Sequence, residues 1–329
     1  MRTRRHVLWL WLILTAFSFE ICAQATSNNA DLVVAKDGSG DFTMVQDAID
    51  AVPNFRKNRT VIYIKNGVYK ENLVLADSKT NVTFIGEDVE KTILTYDNYA
   101  SKKNRFGEEL GTTGSSSFFL FGDGFTAKNI TFENSAGPVG QAVALRVNSD
   151  RSVFVNCRFL GFQDTLYTHG RESRQYYKDS YIEGTTDFIF GSSTAVFENC
   201  EIYCKKDEGS YVTAASTPEH KEFGYVFLNS RITGDVKKDS YYLGRPWRPH
   251  AKVVFMNTRL GDHIKPEGWH NWNDPEKEET VLYAEFENEG PGFTPEKRVA
   301  WSQQLTEKEA SKYTLERIFD GWDPLSRLE

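Results

Sequence analysis

Apolar and polar residues alternate in short runs through most of the chain, and the runs return at intervals. The units are Asn129-Ile130-Thr131-Phe132, Asn156-Cys157-Arg158-Phe159, Asp179-Ser180-Tyr181-Ile182, Asn199-Cys200-Glu201-Ile202, Asn229-Ser230-Arg231-Ile232 and Asn257-Thr258-Arg259-Leu260, spaced by 27, 23, 20, 30 and 28 residues. Asn81-Val82-Thr83-Phe84 lies 48 residues before the first, the length of two further turns of roughly 24 residues each. An aromatic residue stands two positions before the Asn or Asp in five of the units, as Phe154, Tyr177, Phe197, Phe227 and Phe255. A period of two is that of a strand with one face buried, and helical spacing is missing here. A strand-only repeat of this length indicates a solenoid. A parallel β-helix suits it better than a leucine-rich repeat, whose Leu pattern is lacking, or a β-propeller, whose blades need four strands in about 40 residues. The recurrent Asn is expected to stack in one column at a corner, its amides bonding from coil to coil.

The flanks read differently. Thr43 and Gln46 make a capping-box pair before Val45, Ala48, Ile49 and Val52, and Pro53 follows, which predicts a helix covering the N-terminal end of the core. Thr306 and Glu309 repeat the signature before Ala310, Tyr313 and Ile318, with Gly321 as the stop. That segment is expected to pack against the outside of the coil.

At the start of the chain, Arg2, Arg4 and Arg5 precede the apolar run Val7 to Phe17, and Ala23-Gln24-Ala25 offers small residues at the positions a signal peptidase reads. The run is shorter than the ~20 residues a membrane span needs. Residues 1–25 are therefore read as a signal peptide cleaved near Ala25 and Thr26, and residues 26–329 as one β-helix domain, secreted or periplasmic. A lipid anchor at Cys22 is the alternative. Loss of the first 25 residues removes three arginines and Glu20, taking the formal charge from −7 to −9, so nucleic acid is not an expected partner. No membrane contact is expected after cleavage, and a monomer is expected.

Cys157, Cys200 and Cys204 remain after processing, too few and too odd a number for a disulfide scaffold. Cys200 and Cys204 would lie about 13 Å apart on a straight strand, beyond disulfide reach. All three are read as buried small hydrophobes.

Three segments carry candidate chemistry: Gln141-Ala142-Val143-Ala144-Leu145, Gly161-Phe162-Gln163-Asp164-Thr165-Leu166-Tyr167, and Gly184-Thr185-Thr186-Asp187-Phe188-Ile189-Phe190-Gly191. Gln141, Asp164 and Asp187 are each 23 residues apart. With a coil of that length, an amide and two carboxylates share one column on three successive rungs, ~4.8 Å apart. Stacked carboxylates raise each other's pKa, so one holds a proton where its partner is ionised. Ester hydrolysis needs that division, with an ionised Asp attacking the carbonyl and a protonated Asp supplying the departing alkoxide. For either aspartate alone a Gly-flanked turn is sufficient explanation; two at one-coil spacing, each beside glycine and aromatics, ask for more.

These motifs, with Tyr242-Leu243-Gly244-Arg245-Pro246-Trp247, resemble the signatures of the pectin methylesterases (pectinesterases), carbohydrate esterases that demethylate homogalacturonan. The similarity runs from Asp37-Gly38-Ser39-Gly40-Asp41-Phe42 to Gly321-Trp322. The resemblance implies a right-handed parallel β-helix that releases methanol from methylesterified pectin without metal or cofactor. It implies Asp187 as nucleophile, Asp164 as general acid and then base, and Gln141 and Gln163 as donors to the oxyanion. It further implies Arg245 as the group holding the nucleophile, Trp247 as a contact for the sugar ring, Thr112 as a substrate-contacting threonine, and Phe190 and Tyr167 as lining of the groove. The chain departs from many plant members in its cysteines. Cys157 and Cys200 fall at positions bridged there, but no cysteine stands where either partner would be.

Other hydrolytic machinery is missing from the sequence. There is no G-x-S-x-G elbow, Ser115-Ser116-Ser117 has no assignable His partner, and no H-E-x-x-H or close Cys/His cluster suggests zinc. His169, His250, His263 and His270 are scattered and read as surface or turn residues. The competing functions are a pectate lyase or polygalacturonase, whose calcium site or further paired aspartates are not found, and a non-catalytic carbohydrate-binding solenoid, which would need no Asp164 and Asp187 pair.

Overall fold

The computed structural model describes residues 29–205 and 210–327. The signal peptide, its cleavage site and Cys22 lie outside the described residues. The chain winds into a parallel β-helix with three all-parallel sheets, of eleven, seven and eight strands, running along the coil. From Thr60 to Gly244 each coil contributes one short strand to each sheet, so residues one coil apart in sequence become lateral neighbours. The repeat then makes columns of like side chains. Phe154, Tyr177, Phe197, Phe227 and Phe255 are register partners. Their rings stack inside the coil with centroids 4.8, 4.8, 4.6 and 4.3 Å apart. Each is fully buried, and truncating one to Ala costs about 3–5 kcal/mol in cores of this kind.

Asn129, Asn156, Asp179, Asn199, Asn229 and Asn257 all sit in the left-handed backbone region, φ 49° to 58°. Asn and Asp tolerate that conformation better than other residues with a side chain, which is why they mark the corner. The ladder bonds coil to coil where partners suit, from Asn156 Nδ2 to Asn129 Oδ1 (2.8 Å) and from Asn199 Nδ2 to Asp179 Oδ1 (2.5 Å).

Asn81 does not belong to that column. Strand Val82–Gly86 pairs directly with Thr126–Lys128, with Ile85 opposite Lys128. Register therefore sets Gly86, not Asn81, beside Asn129, and the intervening stretch is one long coil rather than two. Asn81 repeats the motif because it meets the same backbone demand, φ 57°, at another corner. The excess length forms an excursion that carries the short helix Gly111–Gly114 and Thr112 within it.

The N-terminal helix, Val45–Ala51, buries Val45, Ala48 and Ile49 over the end of the core. Its expected capping box does not form. Met44 is the N-cap, and the carboxylate of Glu71 accepts from the N–H groups of Val45 and Gln46 at 3.0 and 2.9 Å. A carboxylate at the positive helix end does the work of a hydroxyl cap. Gln46 is thereby left to pair its side-chain amide with both backbone groups of Val74, on the edge strand of the seven-stranded sheet.

At the other end Thr306 and Glu309 do form a capping box, on the single-turn helix Glu307–Ala310. With a second turn, Leu315–Ile318, this segment sets Ala310, Ile318 and Phe319 against Tyr176, Val196, Val226 and Val254 on the outer face of the coil. Cys157, Cys200 and Cys204 are free and buried. Burial pushes the thiols of Cys157 and Cys200 up to about 12, which leaves them as inert packing groups. No helix among the described residues is long and apolar enough to cross a membrane.

Candidate active site

Two local irregularities build the site. Asp164 and Asp187 both have left-handed backbones, φ 64° and 51°, each just before a strand of the seven-stranded sheet, Leu166–Thr168 and Ile189–Gly191. A left-handed residue breaks the alternation of a strand, so Gln163 and Asp164 can both face the same hollow. Glycine permits the tight approach behind it: a Cβ on Gly184 would lie 2.2 Å from Phe188 Cβ, and one on Gly191, φ 127°, would lie 2.0 Å from the Thr168 carbonyl oxygen.

The register is close to that expected, with one shift. Asp164 donates its N–H to the Thr186 carbonyl (3.0 Å), which sets it beside Asp187 on the next rung. Ala142, not Gln141, donates to the Gln163 carbonyl (3.1 Å), so Ala142 is opposite Asp164 and Gln141 is opposite Gln163. Equal spacing of 23 does not translate into one column here, because strand Leu145–Val147 pairs with Leu166–Thr168 at an interval of only 21 residues.

A cavity of about 270 Å³ opens at this point, lined by Thr112, Gln141, Gln163, Asp164, Asp187, Phe190, Ala214, Arg245, Trp247 and Trp272. Tyr167 stacks on Phe190 at 4.2 Å between centroids and forms the continuation of its wall. A larger hollow, about 580 Å³, follows the Asn corner. Its ladder amides bond one another, and it holds no pair of buried carboxylates.

Both aspartates are nearly buried, at 7% and 6% exposure. Their surroundings differ. Arg245 grips Asp187 side-on, with Nε to Oδ1 at 2.9 Å and Nη2 to Oδ2 at 2.6 Å. The guanidinium is itself clamped between the rings of Tyr211 and Trp272, 3.8 Å from each centroid. Asp164 has no side-chain hydrogen bond among the described residues. Burial, and then the neighbouring charge of Asp187, push its carboxyl well above the ordinary carboxylate value, with Arg245 opposing. Burial also raises Asp187, but there the hydrogen bonds and charge of Arg245 pull back directly. Of the pair, Asp187 is the one poised to be ionised and Asp164 the one poised to hold a proton. The side-chain amides of Gln141 and Gln163 reach the cavity with no protein hydrogen-bond partner among the described residues. Their donors are thus unspent. Among the described residues no group of three or more His, Cys, Asp or Glu is placed to hold a metal ion.

Trp272, Ala214 and Tyr211 were not singled out in the sequence. Trp272, φ 63°, belongs to an irregular loop with no repeat to flag it. Tyr211 could have been found, since it precedes by one residue the strand position that follows Asp187 by one coil: Asp187 N–H donates to the Tyr211 carbonyl.

A buried carboxylate pair of unequal surroundings, opening on an aromatic-lined cavity, has the nucleophile and acid–base parts of a hydrolase, and the comparisons narrow the class. A family model described as Pectinesterase matches residues 31–322. Pectinesterase 31 of Arabidopsis thaliana is 45% identical over 293 residues, covering 87% of this chain and 91% of that protein. Against longer proteins of the same plant named pectinesterase/pectinesterase inhibitor, the chain spans about half of their length. Among solved structures, the pectin methylesterase from carrot superposes with a TM-score of 0.81 at 36% identity, covering 90% of this chain and 95% of that one. A pectin methylesterase in complex with a hexasaccharide gives 0.79 at 31%, covering 91% and 99%. The chain belongs to the pectinesterase family of carboxylic ester hydrolases.

Proposed function

We propose that this chain hydrolyses the methyl esters of homogalacturonan, releasing methanol and leaving galacturonate carboxylates, after export and removal of residues 1–25. The observation that carries the reading is the asymmetry of the carboxylate pair: Asp187 is held by Arg245 through two parallel bonds, and Asp164, one rung away and equally buried, by none.

In this mechanism an Asp187 oxygen attacks the ester carbonyl carbon. Negative charge moves onto the carbonyl oxygen, where the free amide donors of Gln141 and Gln163 receive it. The C–O bond to the methoxy group breaks, and the Asp164 proton goes to the leaving oxygen to give methanol. Asp164, now ionised, takes a proton from the water that attacks the acyl-Asp187 intermediate, which returns both groups to their starting state. No step calls for a metal. In this reading Thr112, Phe190, Tyr167 and Trp247 hold the sugar chain, and Trp247 lies 5.9 Å from Phe190 between ring centroids.

The test is methanol release from highly methylated pectin by the purified chain beginning near Thr26. The expected result is methanol with no shortening of the polymer. Shortened or unsaturated chains would point instead to a lyase or polygalacturonase, and binding without product to a non-catalytic solenoid.

A further inference from the structure

Trp272 completes the clamp on Arg245, yet it stands on a backbone that a bulky residue adopts only at a cost. Its φ is 63° and that of Asn273 is 57°, two left-handed residues in succession. Asn tolerates that conformation, whereas tryptophan has no short polar group to favour it. A strained residue of this kind persists where its surroundings over-determine it, so something must hold the Trp272 backbone. Its N–H donates to Nδ1 of His270 at 3.1 Å. The next pair repeats the pattern, with the Asn273 N–H donating to Asn271 Oδ1 at 2.9 Å. In both, a side-chain acceptor takes the N–H two residues on, as in an Asx-turn.

His270 is itself anchored. Its backbone N–H donates to the carbonyl of Gly244 (3.1 Å), the residue before Arg245, and Trp269 before it is buried and bridged to the same glycine. The imidazole lies against the rings of Tyr211 and Tyr242, with centroids 5.6 and 5.3 Å away, and Tyr211 is the ring on the other face of Arg245. An imidazole that accepts at Nδ1 carries its proton on Nε2 and is neutral, since an imidazolium has no acceptor. The surroundings favour that form: burial, then the charges of Arg245 and Lys265, hold the imidazole below its ordinary value.

We propose that His270 is a positioning residue for ester hydrolysis: its Nδ1 holds the Trp272 backbone, the Trp272 ring holds the Arg245 guanidinium, and Arg245 holds Asp187 for attack. This rests on the reading of the cavity as an ester-hydrolysing site. His270 is not among the residues that line the cavity, so it acts through this chain of contacts and not on the ester. The link is the acceptor rather than the ring. A side chain that presents an acceptor in the same place serves the purpose, and a ring without one does not.

Two variants separate the acceptor from the ring. His270→Phe keeps a ring beside the tyrosines and has no acceptor, whereas His270→Asn loses the ring and keeps an Oδ1 of the kind that Asn271 already offers to Asn273. In methanol release from pectin, His270→Phe is expected to lose roughly 3- to 10-fold in kcat with a smaller change in KM, the effect of one neutral hydrogen bond. His270→Asn is expected to retain most of the parent's kcat. A kcat for His270→Phe equal to the parent's, a loss in His270→Asn as large as in His270→Phe, or a raised KM at unchanged kcat would overturn the proposal. Hydrogen exchange at the Trp272 N–H and the Arg245 Nε–H, followed by NMR, reads the same contacts without turnover. Both protons are expected to be protected in the parent and in His270→Asn, and to exchange severalfold faster in His270→Phe. That pattern supports the positioning role even if no protein releases methanol, an outcome that would sink only the esterase reading. Exchange at the parent's rate in His270→Phe would overturn the proposal.

Discussion

Arg245 holds Asp187 with two parallel N–H···O bonds, 2.9 and 2.6 Å long, and hydrogen-bonds nothing on Asp164 one strand away. This one-sided grip breaks the equivalence of two buried carboxylates that the repeat places side by side. The Tyr211 and Trp272 rings fix the guanidinium from both faces, so it is oriented before substrate arrives.

Arg245→Lys keeps the charge but loses the planar fork and the ring clamp. A hydrogen bond to a charged group contributes about 1.5–3 kcal/mol, so the expected loss is roughly 10- to 100-fold in kcat with a smaller change in KM. Steady-state methanol release checks it. Near-normal turnover would mean that Arg245 does not orient Asp187.

Asp187→Ala is expected to abolish methanol release while fold and pectin binding persist, because no other ionised carboxylate faces the ester. Residual activity above about one tenth of the parent, a loss of less than about 1.4 kcal/mol, would place the nucleophile elsewhere. Circular dichroism and pectin binding by the variant show whether the loss is chemical.

How far the sequence discloses such a site depends on what repeats. The aromatic column at Phe154, Tyr177, Phe197, Phe227 and Phe255 was legible because each coil imposes the same burial on the same position. Asp164 and Asp187 were legible because their spacing equals one coil and the structure keeps that register. Gln141 was found by the same spacing but lies one residue off the column, because the strands following it pair at 21 residues rather than 23. Asn81 misled for the opposite reason: two corners with the same left-handed backbone ask for the same residue. Trp272 and the Glu71 cap were beyond reach, since each is brought in by a contact across coils that leaves no period in the chain.

The glutamines test geometry as well as identity. In the proposed mechanism, charge on the carbonyl oxygen grows only as Asp187 attacks, so donors aimed there favour the transition state over the bound ester. Loss of one such donor costs ~2.7–4 kcal/mol, roughly 100- to 1000-fold. Gln141→Ala and Gln163→Ala are each expected to lower kcat on that scale with little change in KM. A raised KM at unchanged kcat would make that glutamine a binder of the ground state.

Asp164 ties function to stability through its proton. Burial and the Asp187 charge raise its carboxyl well above the ordinary value of 3.8, so the folded protein keeps this proton to a higher pH than the unfolded chain does. From about 3.8 upward the unfolded chain ionises first, the folded state then binds more protons, and stability falls with pH until the folded Asp164 has ionised too. In the proposed mechanism the same ionisation removes the acid that methanol departure needs, so activity is expected to fall on the alkaline side, and on the acid side as Asp187 takes up a proton. Both limbs report the coupled pair. Asp164→Asn has no proton to lose. It is expected to be nearly inactive, and its melting temperature relative to the parent should rise as the pH is raised from about 4. Asp187 is present in both proteins, so its own contribution largely drops out of the difference. Thermal melts of the two proteins across the pH range decide the matter. A melting-temperature difference that stays constant with pH would mean that Asp164 is ionised in the folded enzyme at the same pH as in the unfolded chain, and its role as proton donor would be withdrawn.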